Sequence, residues 1–281
     1  MANLSDLLPQ GGGQNNTDFV ADGNITSGKP VVLTTAGKAA QVASSAVSAS
    51  ITAQSAFNSQ NTNLWIDSCY DSNSDKLVIV YVALHPSAYN ALYAIVGTIA
   101  SDGTISYGTA VEVYANSSYQ VTSCARALVG TVSGTSISFG SETTFESGNC
   151  YETIRMAFDS VNGKTVICYR DADDSNKPKG IVGTTSGTSI SFGSATTIQN
   201  TSIQVDCGIG FDSNLGKIVF AYRDSSNSYY GTCAVGTVSG TSISFGTQVV
   251  WESANVQDIA PKIPFDSKNN KLVFVYSYSD V

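Results

Sequence analysis

The side chains that could do chemistry in this chain are few and widely spaced. His85 is the single histidine, and Glu152, Asp173 and Asp174 are the carboxylates that could be paired for glycoside hydrolysis. No nucleophile motif such as G-x-S-x-G accompanies the histidine, as a Ser-His-Asp arrangement would require. Adjacent aspartates in a loop are usually solvated, so we predict that the chain is not an enzyme.

The cysteines and the acidic loop are the next candidates, in this case for metal binding. Six cysteines are isolated along the chain without a C-x-x-C pair, which argues against a zinc site. The stretch Asp171–Asp174 offers oxygen ligands for Ca²⁺, but it lacks the glycine and terminal glutamate of a known calcium loop. We predict no metal and no cofactor, with the cysteines acting as small buried hydrophobic residues.

The positions of the arginines indicate a structural role, not a catalytic one. Arg170 and Arg223 occupy equivalent Tyr-Arg-Asp positions, which predicts structural ion pairs with Asp171 and Asp224 or their neighbours. A sialidase-type site needs a clustered arginine trio, and the FDSxxGK motif differs in residue order from the Asp-box turns of sialidase-like propellers. We therefore expect these arginines to stabilise the fold.

Composition excludes several classes of protein. The net charge of −8, with four Arg and ten Lys scattered singly, makes nucleic-acid binding a poor hypothesis. The longest apolar run, Leu77–Leu84, is far shorter than the roughly 20 residues of a membrane-spanning helix. Residues after Met1 have neither the basic nor the apolar region of a secretory signal. We predict a folded protein without nucleic-acid binding or membrane insertion.

Internal repetition is the strongest signal about the fold. The motif GTxSGTSISFG occurs three times, and its phenylalanines, Phe139, Phe192 and Phe245, are 53 residues apart. A second motif, FDSxxGK followed by an apolar run, precedes it and begins at Phe158, Phe211 and, in a looser form, Phe265. Both motifs belong to one repeating unit.

Each unit is predicted to contain four antiparallel strands, A to D. In the clearest unit, strand A is Ile203–Phe211, B is Lys217–Arg223, C is Tyr230–Val238 and D is Ser242–Trp251. Strand B is continuously apolar, as in a sheet covered on both faces, whereas D alternates as an outer strand does. Four such strands in about 50 residues predict an all-β, propeller-like array of four-stranded antiparallel blades.

About five blades are expected, of which one is thin and one composite. Unit two, about Ser118–Gly148, is 21 residues short and has lost strands A and B. The last unit reaches Val281 after its strand B, and Ser45–Phe57 resembles the missing strand D. Such an exchange would close the ring within one chain and remove two exposed sheet edges. The alternative is an open array that partner chains complete.

The first 44 residues differ from the rest. A Gly/Gln/Asn-rich start is followed by Gly28–Ser44, which predicts a short hairpin that turns at Ala36–Gly37. We divide the chain into an extended N-terminal arm, residues 1–44, and a propeller-like repeat domain, residues 45–281. The arm is either an edge hairpin after a disordered start or a segment that docks into a larger assembly.

Comparison of the units separates scaffold from candidate site. The A–B and C–D turns repeat and are predicted to share one end of the blades, whereas the B–C and D–A loops vary and share the other. Exposed tyrosine and amide side chains in variable loops suit sugar recognition. The candidate ligand-binding residues are His85, Tyr89, Tyr119, Tyr151, Glu152, Asp173, Asp174, Lys177, Asn227, Tyr229 and Tyr230.

The pattern MANLSDLLP…GGGQN…DFVADGNITSGKPVVLTTAGKA, followed by GTxSGTSISFG repeats, resembles structural proteins of tailed bacteriophages, especially marine ones. The resemblance implies a virion component: a tail fibre, spike or head fibre that docks by its arm and presents a loop face to the host surface or to a virion partner. It also implies a homo-oligomer or multicopy protein, because weak glycan contacts need avidity. The alternative is a glycan-binding or glycan-hydrolysing propeller protein, lectin-like or sialidase-like, outside any virion.

Overall fold

The computed structural model describes residues 31–33, 38–41, 56–57, 62–84, 90–100, 104–115 and 125–279. In these ranges the regular structure is β-strand without helix, and the protein is all-β with several antiparallel sheets. The chain divides into two compact units, Met1–Ala53 and Gln54–Val281. In the first, β1 (Val31–Leu33) pairs with β2 (Ala39–Gln41), which confirms the predicted hairpin. Its predicted turn lies outside the described residues.

The strands of the second unit form three larger sheets and smaller ladders. Sheet 1 contains strands β3 to β7, sheet 2 contains β12 to β16, and sheet 3 contains β17 to β21 together with β24. The smaller ladders are the pairs β8 with β11, β9 with β10, and β22 with β23. The bounds are β3 (Thr62–Asp71), β4 (Lys76–Leu84), β5 (Asn90–Ile99), β6 (Ile105–Tyr107), β7 (Val111–Ala115), β8 (Ala125–Ala127), β9 (Gly130–Ser133), β10 (Ser136–Phe139), β11 (Thr143–Glu146), β12 (Cys150–Asp159), β13 (Lys164–Asp171), β14 (Lys177–Ser186), β15 (Ser189–Phe192), β16 (Thr196–Thr197), β17 (Ile203–Asp212), β18 (Lys217–Asp224), β19 (Tyr230–Ser239), β20 (Ser242–Phe245), β21 (Val249–Ile259), β22 (Phe265–Asp266), β23 (Lys271–Leu272) and β24 (Tyr276–Tyr278).

Strands β17, β18 and β19 match the predicted strands A, B and C to within one residue at each end. Their antiparallel hairpin turns where Asp212 accepts hydrogen bonds from the amides of Asn214 and Leu215, and Gly216 takes φ 63°. An aspartate that bonds the amides two and three residues on, followed by a left-handed glycine, closes a tight turn. As predicted, β18 is buried on both faces from Ile218 to Tyr222.

The prediction of one continuous strand D, Ser242–Trp251, is wrong. The segment forms two strands, β20 and β21, which pair with opposite halves of β19. Between them the chain leaves the ladder, where Gly246 donates to Val235 O and the Gln248 side chain donates to Ile198 O of sheet 2. Strand β21 then continues to Ile259, and its second half pairs with β24. The second half of the predicted outer strand therefore pairs first with β19 and then, further along the chain, with β24.

Neighbouring sheets pack through one recurring contact. A Cβ added at Gly108, Gly140 or Gly193 would lie 1.9, 1.8 or 1.9 Å from the carbonyl oxygen of Thr135, Thr188 or Thr241, respectively. Each glycine follows a short strand, and each threonine lies in the next Ser-Gly-Thr turn. The same close approach of a glycine to a threonine carbonyl therefore joins sheet 1 to the region from β8 to β11, that region to sheet 2, and sheet 2 to sheet 3.

The core lies between these layers. Val166 and Cys168 of β13 share one buried cluster with Cys207 and Ile209 of β17. The thin region from β8 to β11 packs against both neighbouring sheets. Its Ile137 shares one buried cluster with Val78 and Val96 of sheet 1, and its Ala125 shares another with Tyr169 of sheet 2. Cys150, Cys168 and Cys207 are buried and form no disulfide, as predicted, whereas Cys69 is exposed. Burial raises the pKa of the Cys168 thiol well above its usual value.

Candidate functional site

The B–C and D–A loops meet at one end of the sheets, which we call the loop end. Asn149, between β11 and β12, donates from its backbone and side-chain amides to the two carboxylate oxygens of Asp173, at 3.0 and 3.1 Å. In the next layer, the Ser225 hydroxyl donates to Ser202 O at 2.7 Å. The Arg223 guanidinium, in turn, donates to the Asn255 side-chain oxygen at 3.0 Å.

The B–C loops of sheets 2 and 3 have the same backbone turn. Asp171 accepts hydrogen bonds from the amides of Asp173 and Asp174, and Asp224 accepts one from the amide of Ser226. Two consecutive residues then take left-handed φ values: 55° and 61° in Ser175 and Asn176, and 52° and 61° in Ser228 and Tyr229. Asparagine tolerates this region, but a bulky residue there is an outlier.

Tyr229 therefore stands out among the predicted residues. Its ring lies over the Arg223 guanidinium, with 4.3 Å from Cζ to the ring centroid, and the side chain is 38% exposed. Backbone strain of this kind is concentrated at binding sites, where surrounding contacts hold it in place. Here the Tyr229 amide donates to Asp224 O, and its carbonyl accepts from the Val256 amide.

Asp174, one of the carboxylates that were candidates for acid–base chemistry, is engaged in structural bonds. Asp174 accepts from Lys177 at 2.8 Å, and its other oxygen lies 3.1 Å from Lys179. Hydrogen bonds from these two lysines lower the pKa of Asp174. Burial acts to lower the pKa of Lys179, but its bonds to Asp171 and Asp174 outweigh burial and raise it.

The two predicted arginines donate hydrogen bonds to amide side chains, not to the aspartate that follows each of them. Arg170 donates to the Asn176 side chain at 2.7 Å, and Asp171 is instead paired with Lys179 at 2.6 Å. Adjacent residues of a strand point to opposite faces, so an arginine and the aspartate that follows it on the same strand do not meet. Arg223 likewise turns to Asn255 and Tyr229.

Sequence reasoning missed a recurring hydrogen bond at the loop end. The hydroxyl groups of Tyr169, Tyr222 and Tyr276 donate to Glu146, Gln199 and Glu252, at 3.1, 2.7 and 2.6 Å. Each tyrosine ends an apolar run, and each acceptor follows the last apolar residue of the preceding unit, so the sequence did carry the signal. Burial is the main cause that raises the pKa of Tyr169 and Tyr222, and the bond to Glu252 raises that of Tyr276.

The remaining predicted residues are spread along the loop end. Asn227 is exposed in the B–C loop of sheet 3, and Tyr230 is the first residue of β19. Lys177 likewise begins β14. Tyr151 and Glu152 belong to strand β12, not to a loop. His85, Tyr89 and Tyr119 lie outside the described residues.

Compared with known proteins, the chain matches no family model, no curated protein and no solved structure. Within the described ranges, no three His, Cys, Asp or Glu side chains are grouped so that they could hold a metal ion. The same residues contain no helix long and apolar enough to cross a membrane. The geometry at the loop end thus offers an aromatic ring, a guanidinium and amides, which are groups that bind ligands, while Asp171, Asp173 and Asp174 are bonded to protein groups.

Proposed function

We propose that this chain is a non-enzymatic structural component of a bacteriophage virion, a tail fibre, spike or head fibre. Residues 1–44 dock it to the particle, and residues 45–281 form a propeller-like array whose loop end contacts the host surface or a virion partner. The recurrence of one glycine-to-threonine contact at three successive junctions carries the proposal, because it supports a regular stack of β layers. The virion assignment is based on the N-terminal pattern.

Two contacts support closure of the array into a ring with a composite last blade. Phe57 packs edge-on against Tyr81 and Tyr107, with ring centroids 5.0 and 6.0 Å apart. Phe145 makes the equivalent contacts to Tyr169 and Phe192. Phe57 thus contacts sheet 1 as a residue of a preceding strand D would, which supports the composite blade.

The second contact joins the last hairpin to sheet 1. The Lys262 ammonium lies 3.3 Å from an Asp67 oxygen and 3.4 Å from Ser68 O. The backbone of Lys262 also forms an isolated parallel β-bridge with Ile209 of β17. A residue that touches both sheet 3 and sheet 1 is expected where the two ends of a ring meet.

The virion assignment is tested by immunogold electron microscopy of particles purified from cells that produce this chain. Gold on intact particles at a fixed position is the expected result. Recovery of the protein only in the soluble fraction, free of particles, would overturn the proposal.

A second candidate function is glycan binding outside any virion, and the exposed Tyr229 ring over Arg223 favours it. Flat rings cover pyranose faces, and a neighbouring amide such as Asn255 bonds hydroxyls. A glycan array probed with the full chain and with Tyr229→Ala tests this reading, with Tyr70→Ala, an exposed tyrosine at the A–B turn, as control. Signal lost in Tyr229→Ala alone supports glycan binding; no signal in the wild type contradicts it.

A further inference from the structure

The Arg223 side chain carries a positive charge that the fold leaves without a carboxylate partner. Among the described residues it makes one side-chain hydrogen bond, from Nη2 to the Asn255 side-chain oxygen, and its Nε is buried without an acceptor. Asp224, the next residue, points to the opposite face of the strand and accepts from Ser226 and Gln199 instead. A buried donor without an acceptor is rare in folded proteins, so this guanidinium has bonding capacity that the fold does not use.

The equivalent position in sheet 2 shows that the arginine does not need a tyrosine to hold it. There, Asn176 takes the place of Tyr229 with the same φ of 61°, and its side-chain oxygen accepts from Arg170 at 2.7 Å. Asparagine tolerates this left-handed backbone, whereas a bulky residue is an outlier in it. In sheet 3 the amide comes instead from Asn255 of the following strand, β21. Tyr229 therefore stands where an asparagine would suit both the backbone and the arginine.

Tyr229 and Asn255 present further groups beside this charge. One face of the Tyr229 ring lies over the guanidinium, so the exposed part of the ring lies at its edge and on the opposite face. The Asn255 side-chain oxygen accepts from both Arg223 and Gln257, at 3.0 and 3.2 Å. Because this oxygen is occupied, the Asn255 side chain offers a ligand its NH₂ donors. The three side chains thus combine an aromatic surface, a cation and N–H donors, without a carboxylate among them.

We propose that Tyr229, Arg223 and Asn255 bind an acidic oligosaccharide, a glycan whose sugar units carry carboxylates. One pyranose unit packs on the exposed part of the Tyr229 ring, and the carboxylate of a neighbouring unit reaches past the ring edge to the guanidinium and the Asn255 amide. Aromatic rings cover the apolar faces of sugars, and a guanidinium pairs with a carboxylate through charge-assisted hydrogen bonds. This inference rests on the glycan-binding function proposed above and names the ligand class of that site.

Matched oligosaccharides test the ligand class on the full chain. Isothermal titration compares short oligomers of glucuronic, galacturonic, mannuronic and sialic acid with their carboxyl-reduced forms, in which a hydroxymethyl group replaces each carboxylate. At least one acidic oligomer should bind about 10- to 100-fold more tightly than its reduced form, because hydrogen bonds to charged groups contribute on this scale. Equal affinity for the two forms would overturn the acidic ligand and leave glycan binding standing. No binding of either form at millimolar concentration would overturn both.

The variant Arg223→Gln tests whether the guanidinium causes this preference. Glutamine keeps a hydrogen-bonding side chain but removes the charge, so affinity for the acidic oligomer should fall to that for the reduced form, which itself should not change. Arg126→Gln is the matched control, because Arg126 is an arginine of the thin region that pairs with Glu142. Far-UV circular dichroism shows that each variant folds. A preference that persists in Arg223→Gln, or an equal loss of it in Arg126→Gln, would overturn the site.

The variant Tyr229→Asn separates a ligand-binding role of the ring from a structural one. It gives sheet 3 the residue that sheet 2 has at this position and relieves the left-handed tyrosine, so the midpoint of urea unfolding should stay the same or rise. Affinity for the acidic oligomer should fall about tenfold or more, because the aromatic surface is removed. Loss of binding without loss of stability is the expected result. Unchanged affinity, whatever the midpoint, would refute the role of the ring and with it the site.

Discussion

Replacing Gly193 with alanine tests the packing contact that recurs between layers. The added methyl would lie 1.9 Å from Thr241 O and 3.0 Å from the Thr241 carbonyl carbon of the next sheet. Both contacts involve backbone, so a side-chain rotation cannot relieve them. Gly246→Ala is the matched control: it follows the same Ser-Ile-Ser-Phe strand and has Val235 O, at 3.8 Å, as its nearest atom within 4 Å.

The expected difference between the two variants follows from their shared chemistry. Each glycine amide donates the same bond, Gly193 to Val182 O at 3.0 Å and Gly246 to Val235 O at 2.9 Å. Alanine restricts the unfolded chain equally in both, a stabilising effect of about 0.4–1 kcal/mol that cancels in the comparison. Overpacking against a fixed backbone costs about 1–3 kcal/mol. We expect Gly193→Ala to be less stable than Gly246→Ala by about that amount, which is about 2–4 °C in Tm per kcal/mol.

Urea unfolding followed by tryptophan fluorescence measures this difference by linear extrapolation. Gly108→Ala and Gly140→Ala should behave like Gly193→Ala, because their clashes are as close. Equal midpoints for Gly193→Ala and Gly246→Ala, with unchanged denaturant slopes, would show that the layers do not pack through this contact. The regular stack would then lose its main support.

Three further predictions concern buried and paired side chains. Tyr222→Phe removes the bond to Gln199 and leaves a polar oxygen without its donor, so the free energy of unfolding should fall by about 1–3 kcal/mol; equality with the wild type in urea would contradict this. Cys69 should react with a thiol reagent in the folded protein and Cys168 only after unfolding, and peptide mapping of labelled protein checks the order. The lowered pKa of Asp174 stabilises the fold above about pH 4 and less below it, so Asp174→Asn should be less stable at pH 7 and converge with the wild type in acid unfolding.

The sequence predicted those elements whose signals are local. The hairpin after Phe211 follows from an Asp-Ser-Asn-Leu-Gly turn, and both its aspartate bonds and its left-handed glycine are present. The buried strand Lys217–Asp224 follows from an unbroken apolar run. Such patterns determine strand pairing within about twenty residues, which is the range of an antiparallel hairpin.

Features that depend on contacts between layers were not predictable in this way. The alternation of Ser242–Trp251 continues through Gly246, and nothing local indicates that the chain leaves the ladder there to let Gln248 reach the sheet before it. The bond from Tyr222 to Gln199 joins residues 23 apart in different layers. For Arg170, proximity in the sequence suggested Asp171, whereas the strand directs the two side chains to opposite faces.

Several loop-end residues that differ between units have the same structural role in each unit. This reduces the number of residues at the loop end that are candidates for ligand binding. Asp171 and Asp224 both turn the chain by accepting amides two residues on, so the first part of each B–C loop serves the fold. Asp173 and Asp174 are likewise bonded to protein groups. Tyr229 differs because its left-handed backbone is costly and its ring stays exposed. Variation between units therefore indicates a site only where the varying side chain makes no structural hydrogen bond, and at this end that condition favours Tyr229, whose ring lies over Arg223.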